Sequence, residues 1–262
     1  MDKEVFNKII IQYTRDNPSP NGHVWLHHFG ESLLHPNVTD CISYMQDRGL
    51  KAAISLNPIA LHKRKAEQFV QTNPYLIYIS LDGHDEETFS TIRGVPGIWE
   101  QSKRNALYFL ELKEKYNSST KVVLSSINFP QHRELVEASK LFWSKQPGVD
   151  SFLEKPFTDF NGDIESITNM HDQHIEYTQC TKPWSHLTIA WDGTVLPCCY
   201  DYDAKYALGN ISKNTLSKIW NDVPMKNLRK EFEDKHVTCD LCINCIHGGK
   251  WSRFSNSNIK YR

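Results

Sequence analysis

The chain has 262 residues, and its 30 Lys and Arg against 31 Asp and Glu leave no overall field to draw nucleic acid or an anionic membrane. Its apolar runs, such as Val122 to Ile127, fall far short of the roughly 20 residues of a membrane-spanning helix, and no basic segment leads into an apolar stretch at the N-terminus. We therefore expect a soluble, cytoplasmic protein with no nucleic-acid or membrane partner, long enough for one large domain and a small appended one.

In chain order, Lys3 to Arg15 reads as a helix with Val5, Phe6, Ile9, Ile10 and Tyr13 on one face, and His23 to Phe29 as an apolar strand closed by Gly30. Helix and strand then alternate: Asn37 to Arg48 helix, Lys51 to Leu56 strand, Ile59 to Gln71 helix, Tyr75 to Leu81 strand. A long helix from Ile98 to Tyr116, a strand from Lys121 to Ile127, a helix from His132 to Lys145 and a strand from Val149 to Lys155 follow. Strands that are apolar nearly throughout and alternate with helices predict right-handed crossovers and a parallel sheet, so the fold class is α/β, an open sheet or partial barrel. Ligands in such folds sit beyond the C-terminal ends of the strands, which directs attention to Gly30-Glu31, Asn57, Ser80 to Gly83, Asn128 and Glu154.

After Pro156 the sequence turns polar and loses any period, and residues 157–179 read as a bridge. The first domain thus spans 1–156, and a small domain occupies 180–262. That last part is rich in Trp, Pro, Gly and Cys, with a hairpin expected from His186 to Trp191, a turn at Asp192-Gly193, and a return from Thr194 to Pro197. Six of the seven cysteines lie in it, and Cys41 stands alone. A chain with ample core and no export signal points to metal ligation over disulfides.

The order Cys180, Gly193, Cys198, then Cys239-x2-Cys242-x2-Cys245 is the strongest signal in the sequence. A turn at Gly193 folds the second strand back toward Cys180, and each Cys-x2-Cys turn presents two thiolates to one metal site. Soft sulfur ligands suit zinc or an iron–sulfur cluster alike, and Trp184, Trp191 and Trp220 are candidates for an apolar shell. The succession Cys180-Thr-Lys-Pro-Trp184, Trp191-Asp-Gly-Thr-Val-Leu-Pro-Cys-Cys199, Leu208-Gly-Asn-Ile211, Ile219-Trp220 and the closing cysteines resembles a SPASM domain. The resemblance implies one auxiliary [4Fe–4S] cluster on Cys180, Cys198, Cys242 and Cys245, with Cys239 as the substitute if the pairing shifts. Some relatives place an acid after the second ligand. Here that position is Cys199, which we expect to pack as a small apolar residue.

The first domain resembles the radical S-adenosylmethionine (SAM) enzymes that carry SPASM domains. Gly30-Glu31 after an apolar strand is similar to the motif that holds the SAM amino group, and Ser80-Leu-Asp-Gly83 with Arg93-Gly94 is similar to the family's fourth strand. The resemblance implies that Glu31 takes the ammonium, Ser80 and Asp82 the ribose, and Arg93 the carboxylate, with Asn57 as a further contact. His27 and His28 are expected to be packing histidines, because neighbours on a strand point to opposite faces.

Members of this family cleave SAM reductively to a 5′-deoxyadenosyl radical and modify peptides or small molecules, drawing electrons from a reductant such as flavodoxin or ferredoxin. That chemistry needs a Cys-x3-Cys-x2-Cys loop, which the 262 residues do not contain. The expectation is an N-terminally truncated member, inactive as given. The rival is a non-catalytic module, holding an iron–sulfur cluster or zinc, that binds a partner or transfers electrons.

Overall fold

A computed structural model describes residues 1–128, 133–156 and 180–247. These fall into two compact units, one of Pro18–Phe157 and one that joins Met1–Asn17 to Thr158–Arg262.

The first unit is built on a parallel sheet of β1 (Val24–Trp25), β2 (Ala52–Leu56), β3 (Leu76–Ser80), β4 (Lys121–Asn128) and β5 (Ser151–Pro156), hydrogen-bonded in that order. Among the described residues the sheet is open, with β1 and β5 at its edges. The helices between the strands are α2 (Val38–Gln46), α3 (Lys63–Thr72), α4 (Glu86–Arg93), α5 (Trp99–Lys115) and α6 (Arg133–Trp143). Successive strand residues face opposite ways. On β3, Ile77 and Ile79 are fully buried on one face, while Leu76 joins Ala53 and Val123 on the other, packed with Tyr75, Tyr78 and Leu153. The same alternation puts Tyr78 and Ser80 on the Leu76 face.

The expected strand from His23 to Phe29 is shorter in the structure. Leu26 N–H still bonds the Ala53 carbonyl, but the chain then leaves the sheet and turns at Gly30, where φ is 98°. Helix α4 has a start signal in a capping box: Asp85 accepts from Thr88 N–H at 2.9 Å and Thr88 Oγ1 accepts in return. Just before it, Gly83 has φ 79°, and a Cβ there would sit 2.7 Å from Phe89 N, so only glycine fits this turn.

In the second unit β6 (Thr188–Ile189), β7 (Thr194–Leu196) and β8 (Gly209–Asn210) form an antiparallel sheet. The hairpin between β6 and β7 lies where the Asp192-Gly193 turn places it, and Gly193 holds φ 84°. Helices α7 (Lys182–Ser185), α8 (Leu216–Trp220), α9 (Val223–Glu233) and α10 (Asp240–His247) surround it. Helix α1 (Lys3–Asp16) lays Ile9 and Tyr13 against the core of Val195, Ile211, Leu216 and Ile219. The buried Gln12 side-chain Oε1 accepts from Leu216 N–H at 2.7 Å, which satisfies a donor at the start of α8. Lys8 Nζ donates to the Ile211 carbonyl. The polar bridge at 157–179 lies outside the described residues.

Candidate functional site

In the first unit the residues singled out from sequence gather where the parallel strands end. Gly30 supplies the turn after β1. Glu31 then caps the short 3-10 turn Ser32–Leu34, its Oε1 accepting from Leu33 N–H at 2.9 Å and its Oε2 from Asn57 N–H at 2.7 Å. Burial raises the Glu31 carboxyl pKa, while these two N–H donors and the Arg93 charge pull it back. The Asn57 side chain accepts from Ile59 N–H at 3.1 Å and so starts the turn Pro58–Ala60.

Ser80, Asp82 and Arg93 form one cluster. Asp82 is 1% exposed. Its Oδ2 pairs with Arg93 Nη2 at 2.8 Å, and its Oδ1 accepts from Ile127 N–H at 2.7 Å. Arg93 Nη2 also reaches Ser80 Oγ at 3.1 Å and the Ser80 carbonyl at 3.3 Å. Asp82 therefore ties the end of β3 to β4 and holds Arg93 in place. A further cation joins them that sequence reasoning passed over: Lys155, near the end of β5, donates to Ser80 Oγ at 3.3 Å. Burial lowers the Lys155 pKa, Asp82 raises it and Arg93 lowers it.

His27 lies exposed at the surface and is not the packed histidine expected of it. Its Nδ1 accepts from Ser55 N–H at 3.1 Å, which assigns the proton to Nε2. Desolvation first, then Lys155 and His28, lower its pKa to about 4, although the ring keeps contact with solvent that softens the effect.

In the second unit Cys180, Cys198, Cys242 and Cys245 line one recess that is partly open to solvent. The walls between the sulfurs are mostly apolar, Pro183, Pro197, Leu228, Phe232 and Leu241, with Lys182 a charged side chain among them. The chain delivers these thiols from the entry to α7, the end of the β6–β7 hairpin, and two successive turns of α10. Cys180 and Cys242 also pack against the core of Met225, Leu228 and Phe232.

Burial raises the Cys180 thiol and drives Cys198 up to about 12. Cys239 lies outside the pocket lining and shares a hydrogen bond with Cys242. The shared proton raises Cys242 and lowers Cys239. Cys199 is exposed, with Lys182 Nζ 3.8 Å from its sulfur, and so is not the packed thiol expected from sequence.

The tryptophans do not shield the pocket. Trp191 is 77% exposed and Trp184 37% exposed, while Trp220 packs on the Met225 core beneath Arg229. The pocket's apolar wall comes from α9 instead, through Leu228 and Phe232.

The donor set fits an iron–sulfur cluster. Four thiols stand around the recess; burial raises the cost of ionising Cys180 and Cys198, and a bound metal offsets that cost by replacing the protons. Among the described residues no three His, Cys, Asp or Glu side chains close around a single ion, so the sulfurs line an opening and do not form a tight cage.

The chain thus combines an open parallel α/β sheet with charged groups at its strand ends and a small cysteine-lined unit. Residues 180–246 match the SPASM family, an iron–sulfur cluster-binding domain. An AdoMet-dependent heme synthase of Nitratidesulfovibrio vulgaris is 27% identical over 99 residues, covering 38% of this chain and 27% of that protein. The antilisterial bacteriocin subtilosin biosynthesis protein AlbA of Bacillus subtilis is 23% identical over 265 residues, covering 89% of this chain and 57% of AlbA. Of solved structures, SuiB of Streptococcus suis bound to S-adenosylmethionine has the same fold, with a TM-score of 0.64 at 16% identity, over 93% of this chain and 64% of SuiB. The chain thus spans less than two thirds of each. The chain carries a SPASM-domain match at residues 180–246 and resembles radical SAM/SPASM proteins in fold.

Proposed function

We propose that this chain holds an auxiliary [4Fe–4S] cluster on Cys180, Cys198, Cys242 and Cys245, and binds SAM at the strand ends through Glu31 and the Ser80–Arg93 cluster. In this reading it belongs to an enzyme that modifies a peptide or a small molecule by radical chemistry. The observation that carries the reading is the convergence of four thiols on one mostly apolar pocket. Once bound, the cluster supplies a one-electron donor or acceptor, and its four cysteines leave no iron open to SAM. A peptide substrate is favoured by the relatives: AlbA acts in bacteriocin biosynthesis, and SuiB has been solved bound to its precursor peptide SuiA.

The second reading, a non-catalytic iron–sulfur module that transfers electrons, is favoured by one sequence fact. The 262 residues contain no Cys-x3-Cys-x2-Cys spacing, and Cys41 alone precedes Cys180. We expect the reconstituted chain to bind SAM weakly and to yield no 5′-deoxyadenosine with dithionite under anaerobic conditions. The joint variant Glu31→Gln, Ser80→Ala should abolish the residual binding. Turnover-level 5′-deoxyadenosine that disappears in Cys198→Ala would overturn the auxiliary assignment, and SAM binding unchanged in the joint variant would overturn the strand-end site.

A further inference from the structure

Two cations flank the short helix α7, and the fold uses them differently. Arg229 serves the backbone: its Nε donates to the Pro183 carbonyl at 2.8 Å and its guanidinium lies 4.2 Å over the Trp220 ring. Lys182 faces the cysteines. Among the described residues lining the recess it is the one side chain that carries a positive charge. Its Nζ donates toward Cys199 Sγ at 3.8 Å. Because Cys199 follows Cys198 and Lys182 lies two residues after Cys180, the ammonium stands at both chain segments that bring thiols to this side. Its charge favours the thiolate of Cys180 and of Cys198 alike.

The backbone adds to the same half of the recess. Lys182 N–H hydrogen-bonds the Cys180 sulfur, and Tyr200 N–H donates to Cys198 Sγ at 3.4 Å. Cys242 and Cys245 reach the recess from α10 instead, and Cys242 bonds the sulfur of Cys239.

A cluster on four thiolates is an anion, and reduction adds a further negative charge while every ligand stays in place. A cation and N–H donors beside the sulfurs stabilise the reduced state more than the oxidised one, so they raise the reduction potential. Apolar walls act in the opposite direction, since they disfavour the added charge. The recess sets one lysine against five apolar residues, and the balance between them governs how readily an electron enters.

We infer that Lys182 tunes the cluster: its ammonium, held at the recess wall beside Cys199, raises the reduction potential of a cluster on Cys180, Cys198, Cys242 and Cys245. This rests on the cluster assignment proposed above and adds to it a residue that no thiol spacing announces. Lys182 acts through space and makes no bond to the iron.

The test is a redox titration of the reconstituted full chain with dithionite as reductant, followed by the EPR signal of the reduced cluster, with iron and sulfide counted in every sample. Lys182→Met removes the charge and keeps the backbone bond to Cys180. It should lower the equilibrium constant for one-electron reduction by about threefold to tenfold, the upper value equal to about 59 mV. Lys182→Arg should keep most of the wild-type potential. Raising the salt from about 0.01 M to about 1 M should narrow the gap between wild type and Lys182→Met, because a half-exposed charge is screened.

Unchanged iron, sulfide and potential in Lys182→Met would overturn the inference and leave the cluster assignment standing. A potential that falls as far in Lys182→Arg as in Lys182→Met would also overturn it, since arginine keeps the charge. Loss of iron from both variants would make Lys182 a structural residue and sink the inference in the same way. Wild-type protein that takes up no iron and sulfide would overturn the cluster assignment, and the inference with it.

Discussion

The two candidate sites solve the problem of buried polarity in opposite ways. At the strand ends the fold answers most of its own charge: Asp82 is satisfied by Arg93 and a backbone N–H, and Glu31 by two backbone N–H groups. The cysteine pocket answers little of its own. Cys180 and Cys198 are pushed toward the protonated thiol by burial, Cys242 chiefly by its bond to Cys239, and the pocket walls are mostly apolar. Most polar groups of the first site are paired within the fold, whereas the second, under the proposed cluster assignment, would draw part of its folding free energy from metal. A ligand should therefore adjust the first site and build the second.

Breaking the metal site should give the largest effect. With Cys180→Ala and Cys198→Ala combined, hydrogen exchange at the amides of β7 and α9 should rise toward that of an unfolded chain, while the amides of β2 to β4 keep their protection. Unchanged protection of α9 would mean that the small hydrophobic cores hold this unit together without metal.

A smaller effect is expected at the strand ends, where the fold carries its own counter-ion. Asp82→Asn should cost about 3 kcal/mol of stability, because it leaves Arg93 without its carboxylate. Adding Arg93→Met should recover much of that loss. Simple additivity of the two substitutions in urea unfolding would show that the pair is not coupled and that Asp82 stabilises the fold only through Ile127.

The parts of this molecule that sequence reveals are those encoded over a few residues. The five strands were readable because each is a short apolar run bounded by turn residues, and the hairpin because Asp192-Gly193 supplies a turn that needs positive φ. Helix α4 was missed although Asp85 and Thr88 announce it as a capping pair. What remained hidden depends on distance along the chain. Lys155 acquires its place from Ser80, 75 residues earlier. The apolar face of α1 is plain in the periodicity, but nothing local says that it covers Leu216 and Ile219, with Gln12 bonding a backbone 204 residues away. The tryptophans misled for a similar reason: their positions suggested a shell, yet the pocket wall is supplied by the buried face of α9.

The metal that the cysteine pocket takes decides the cluster assignment most directly. Anaerobically purified and reconstituted protein should contain about four iron atoms and matching sulfide per chain, with both lost together in Cys180→Ala, Cys198→Ala. Stoichiometric zinc without sulfide, or iron and visible absorbance that survive the double substitution, would contradict it.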